Sequence, residues 1–140
     1  MYYVNQEQIG VRLQAIPAIS EALRTLADGW QGTLIEGLAQ ERALHLAAET
    51  ITDVGSFLID GFIMRDASSY EDIIEITGEE GVFPRHLQET FIELVKLRRP
   101  LVQDYFTWDR EQLHPMTKEL SEQLLVYKEA VESYIERELI

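Results

Sequence analysis

Leu44-His45-Leu46-Ala47-Ala48-Glu49-Thr50-Ile51-Thr52-Asp53-Val54-Gly55-Ser56-Phe57-Leu58 belongs to a longer run with one dominant period. Leu38, Leu44, Ala47, Ala48, Ile51, Val54, Leu58 and Phe62 recur at steps of three and four, or sums of these. That spacing puts them on one face of a helix predicted from about Leu34 to Met64. A helix this long should span its whole domain. Ala47, Ala48 and Gly55 are small enough for a neighbouring helix to come close.

Upstream, Ile9, Leu13, Ile16, Leu23, Leu26 and Trp30 give the same period, predicting a helix from about Asn5 to Ala27. Asn5 suits its N-cap and Asp28-Gly29 its stop, and Pro17 should kink rather than end it. Downstream, Asp66-Ala67-Ser68-Ser69 reads as a loop. Ser68 with Glu71, or Ser69 with Asp72, can cap a short helix through Ile76. Pro84 suits the first turn of the next helix, reaching about Leu97. Pro100 should break the chain near Arg98–Arg99, with a new helix restarting there. After His114-Pro115, Leu120, Leu124, Tyr127, Val131 and Tyr134 form the stripe of a last helix. No stretch alternates like a strand, so the expectation is an all-α bundle of about four to six helices in one domain, residues 1–140.

Composition narrows the function classes. The chain has 140 residues, enough for a single core, and no cysteine, which removes disulfides, thiolate metal sites and cysteine nucleophiles. Met1–Glu7 lacks the basic flank and apolar run of a signal peptide, and no segment could span a bilayer. A cytoplasmic protein without membrane partners is expected. With 25 acidic against 12 basic residues the net charge is -13. That argues against general nucleic-acid coating, which needs basic surface, but leaves room for a small local site. Lys96, Arg98 and Arg99 are the densest basic cluster.

That cluster opens Arg98-Arg99-Pro100-Leu101-Val102-Gln103-Asp104-Tyr105. The stretch resembles the Arg-x4-His-x-Tyr signature of HepT-like toxins in the HEPN superfamily. Arg98, Leu101, Val102 and Tyr105 match in register, while Gln103 stands at the histidine position and Pro100 also departs. The Asp53-bearing second helix, the Ser-Tyr-x-Asp stretch at Ser69–Asp72 and the helix downstream are similar to that group too. The resemblance implies a HEPN-type bundle, a symmetric homodimer with the motif at its cleft, and metal-independent endoribonuclease chemistry without a cofactor. It also implies a toxin–antitoxin pair whose partner nucleotidyltransferase adenylates the motif tyrosine, here Tyr105.

Such cleavage needs a base for the ribose 2′-hydroxyl proton, which a histidine supplies, and an arginine to hold the phosphate's growing charge. Arg98 can do the second. Gln103 cannot do the first, because a carboxamide has no proton-accepting nitrogen. Of His45, His86 and His114, His45 is the conceivable substitute, since the resemblance places the second helix at the dimer cleft; a helix-surface or partly buried histidine without a catalytic role is the other reading. Tyr105 can be an adenylate acceptor or simply a packing aromatic.

His45, Glu49, Asp53, Ser56 and Asp60 share one stripe, which reads as an exposed face or polar cleft rather than a metal site. Asp53 is singled out within it, since the resemblance implies a polar site residue there. The rival function is a catalytically inactive HEPN dimer binding RNA, nucleotide or a nucleotidyltransferase.

Overall fold

Two polar caps start the long helices. The Asn5 side chain accepts from the Gln8 amide and opens α1 (Gln6–Gly29). Thr33 and Glu36 form a capping box that opens α2 (Leu34–Gly61). In the computed structural model, which describes residues 2–139, three further helices follow: α3 (Tyr70–Glu79), α4 (Gln88–Lys96) and α5 (Met116–Glu138). The architecture is all-helical, with no strand among the described residues.

α1 packs against both α2 and α5, and α2 carries α3 and α4 on its other side. Ala47 and Ala48 are fully buried, and Gly55 lies where a side chain would strike Ile73 of α3, so the small residues do admit close neighbours. All five expected α5 stripe residues, Leu120 to Tyr134, are buried. Phe91 of α4 stacks edge-on against both Phe83 and Tyr127, whose hydroxyl reaches the Ile51 carbonyl at 3.4 Å. Ser20 donates to the Ser121 carbonyl and ties α1 to α5. No helix of the described residues is long and apolar enough to cross a membrane.

Several boundaries differ from the sequence expectation. α1 continues through the exposed Pro17, as expected, but ends at Gly29 rather than about Ala27. Leu38, expected in the core, is exposed, because Gly37 and Gln40 are the residues of that turn facing inward, Gln40 accepting from Thr117 of α5. α2 stops at Gly61 rather than Met64, since Ile63 turns into the left-handed region at φ 55°. A β-branched residue is strained there. Ile63 is also exposed, so little packing is at stake. Ile63→Gly should therefore raise stability by about 1 kcal/mol in chemical denaturation.

α3 continues past Ile76 to Glu79, and Pro84 leads a 3-10 turn, Arg85–Leu87, before α4. Ser69 caps α3 by accepting from the Asp72 amide. Asp72 itself is buried and takes both Arg65 nitrogens at 2.9 Å, plus the Ser68 amide. Arg65, then the Ser68 amide, hold its carboxyl well below the usual carboxylate range. A depressed folded-state pKa adds stability above the unfolded value, about 3.9, and loses it as pH falls through the folded one. Asp72→Asn should thus melt earlier than wild type at neutral pH, and the gap in melting temperature should close as pH drops below about 4.

The largest correction concerns residues 98–115. No new α-helix begins at Pro100. Leu101 bonds back to the Leu97 carbonyl, and the Asp104 amide closes a wide π-turn on the Arg99 carbonyl at 3.0 Å. A proline lacks the amide an α-helical ladder needs, and the wider turn accommodates the gap. A single 3-10 turn, Tyr105–Thr107, follows, and helix resumes only at Met116. The motif therefore lies on a strap of π and 3-10 turns rather than on an α-helix.

Candidate functional site

The strap is fastened to α2 by two ion pairs. At its start, Arg98 donates through Nε (2.9 Å) and Nη2 (2.6 Å) to Oε1 of Glu49. At its end, Arg110 pairs with Glu41, its Nη2 lying 3.3 Å from Oε2, and the same nitrogen reaches the Tyr105 carbonyl at 3.2 Å. Gly37 lies under this end. A Cβ there would sit on the Arg110 backbone, so only glycine admits the strap so close. Glu41, His45 and Glu49 are spaced four residues apart on one side of α2, about 6 Å per step.

Arg98 is the centre of the cluster. Its guanidinium lies 3.9 Å from the Tyr70 ring centroid and is mostly shielded from solvent. Burial works against its charge, but hydrogen bonds and charge from Glu49 outweigh that and raise its pKa further. Two of its five N–H donors serve Glu49, and the Tyr70 side chain lies against the guanidinium. The Lys96–Arg98–Arg99 run does not act as one basic cluster: Lys96 turns to Glu93 and Arg99 lies open near Asp104.

His45 joins the same group. Nε2 is 3.2 Å from Oε1 of Glu49 and Nδ1 is 3.2 Å from Nη1 of Arg42. His86 is exposed, and His114 is half-buried, stacked on Trp108, with Nδ1 accepting the Met116 amide. Burial pushes the His114 pKa down. Neither takes part in the Arg98 cluster.

Asp53 lies elsewhere. It binds Nε of Arg12 at 3.2 Å, and Arg12 also bonds Gln8 and covers the Phe57 ring. One turn beyond Glu49, Asp53 faces α1 instead of the strap. Glu49 is the acidic residue that holds Arg98, and its place one turn from His45 on the polar stripe was the available signal. Gln103 and Tyr105 are exposed on the strap. Tyr105 meets Phe106 edge-on but is not a core packing residue. Among the described residues no three His, Cys, Asp or Glu side chains converge as a metal-ligand group.

Comparison with known proteins decides the family. The pattern of the HepT-like family, described as Ribonuclease HepT-like, matches residues 13–131, which include the whole cluster. The chain belongs to the HepT-like ribonuclease family. It is 34% identical over 139 residues to a Bacillus subtilis (strain 168) protein named "Putative RNase YutE", covering 99% of this chain and 95% of that one. The solved structure of YutE from Bacillus subtilis, titled a cytosolic protein of unknown function, superposes with a TM-score of 0.83 at 34% identity, covering 99% of this chain and 96% of the other. The HepT-like bundle inferred from the motif is thus shown, and the motif of this HepT-like chain carries glutamine at position 103.

Proposed function

We propose that the protein is a metal-independent endoribonuclease and the toxin half of a toxin–antitoxin pair, acting as a homodimer in the cytoplasm. The observation that carries this reading is the state of Arg98. It is charged, shielded, pre-oriented by Glu49 and Tyr70, and carries N–H donors beyond the two that serve Glu49. Preorganised donors of this kind stabilise transition-state charge without reorganising. The homodimer is supported by exposed Val102 and Phe106 on the strap and by exposed Leu34, Ile35 and Leu38 on α2. The exposed Tyr105 phenol is open to a partner nucleotidyltransferase, as adenylation requires.

The test is cleavage of a labelled single-stranded RNA by purified protein in excess chelator, with solution mass measured in parallel. Chelator-resistant cleavage by a dimer is the expected result. A protein that binds the RNA but never cuts it would favour the binding-module reading, which the loss of the motif histidine at Gln103 motivates.

A further inference from the structure

The geometry points to His45 as the general base of this chain, taking the ribose 2′-hydroxyl proton at Nδ1 in place of the absent motif histidine. The inference rests on the endoribonuclease reading and adds to it the residue that starts the reaction. A guanidinium only donates, so its contact with Arg42 makes Nδ1 the lone-pair nitrogen of His45. Nε2 then carries the hydrogen, which Glu49 accepts at 3.2 Å. This is a carboxylate–imidazole pair in which the acid fixes the tautomer and supports the imidazolium that forms. Oε1 of Glu49 accepts from Arg98 twice and from His45, so one carboxylate oxygen orients both side chains.

Position agrees with chemistry. The strap is held at Glu49 and Glu41, and His45 lies midway between these two clamps. The π-turn that ends with Gln103 packs on α2. Arg98 and Nε2 of His45 flank the one Glu49 carboxylate, which leaves Nδ1 turned outward to Arg42 and brings imidazole and phosphate-binding cation into one cluster. Arg42 is exposed and can leave Nδ1 for a second phosphate when RNA enters.

The step balances as follows. The 2′-hydroxyl proton moves to Nδ1, and the 2′-oxygen forms a bond to the adjacent phosphorus. The bond from phosphorus to the 5′-oxygen breaks, with Arg98 neutralising the non-bridging oxygens. The 5′-oxygen leaves with a proton from water, and His45 later returns its proton to solvent. The products are a 2′,3′-cyclic phosphate and a 5′-hydroxyl.

The experiment compares wild type, His45→Ala and Arg98→Ala on a labelled single-stranded RNA, with and without added imidazole. Affinity is measured separately on the same RNA blocked by a 2′-deoxy nucleotide at its cleavage site. His45→Ala should cut at least about a hundredfold more slowly. Its affinity for the blocked RNA should stay within about threefold, since its charged phosphate ligands remain. Imidazole should restore part of its rate and none of the Arg98→Ala rate. His45→Ala cleaving like wild type beside an inactive Arg98→Ala would overturn the assignment and leave the nuclease reading standing. Equal losses of binding and cleavage without imidazole rescue would reduce His45 to a positioning residue and also overturn it. A wild type that does not cut would remove both.

Discussion

Arg98→Ala is expected to lower RNA cleavage by about 10²–10³-fold while leaving the fold intact. The rate effect is large because Arg98 is held before substrate arrives, by two hydrogen bonds to one carboxylate and by the Tyr70 ring. An exposed, mobile arginine would have to be ordered at each encounter. The stability effect is small because Glu49 keeps partial solvent access and water can take over its lone pairs. A part-exposed pair of this kind contributes roughly 0–1 kcal/mol. Arg98→Lys separates charge from geometry. Lysine keeps the charge but not the fork that binds Glu49 and phosphate together, so most of the rate should still be lost. A melting curve close to wild type beside a single-turnover rate at background is the expected pair of results. Wild-type cleavage by either variant would remove Arg98 from the chemistry.

The parts of the structure legible in the sequence are those governed by periodic burial. α2 and α5 announce themselves because Leu44, Ile51 and Leu58, or Leu120, Leu124 and Val131, must all face one core. The strap has no such constraint. Pro100 does signal that a helix cannot simply continue, but whether a new helix or a π-turn follows depends on contacts far away in sequence. Arg98 finds Glu49, and Arg110 finds Glu41 and sits over Gly37, all on a helix more than forty residues earlier. The site was half legible for the same reason. The motif singles out Arg98, and the polar stripe contains His45, Glu49 and Asp53 together. Which acid meets Arg98 is set by helix packing: Asp53 is claimed by Arg12 of α1, leaving Glu49 to the strap.

Packing also sets the second large effect, at a residue remote from the chemistry. Phe91→Ala should destabilise the protein by about 3–5 kcal/mol, the range for emptying a buried aromatic site. Phe91 is fully buried, with ring centroids 5.4 Å from both Phe83 and Tyr127. Those neighbours cannot easily collapse into the space. Tyr127 is itself fully inside, where burial pushes its phenol pKa up, and its hydroxyl is directed at the Ile51 carbonyl. For a domain stable by about 5–15 kcal/mol, this loss is a large share. It also reaches the site, because α4 ends at Lys96 and delivers Arg98 two residues later. A loosened α4 would let the guanidinium drift from Glu49, so activity should fall at temperatures below the variant's own melting point. Phe91→Leu keeps most of the volume and should recover much of both losses. Denaturant curves and cleavage rates on the three proteins would show whether stability and activity move together, as a cation delivered by α4 and held by Glu49 of α2 requires.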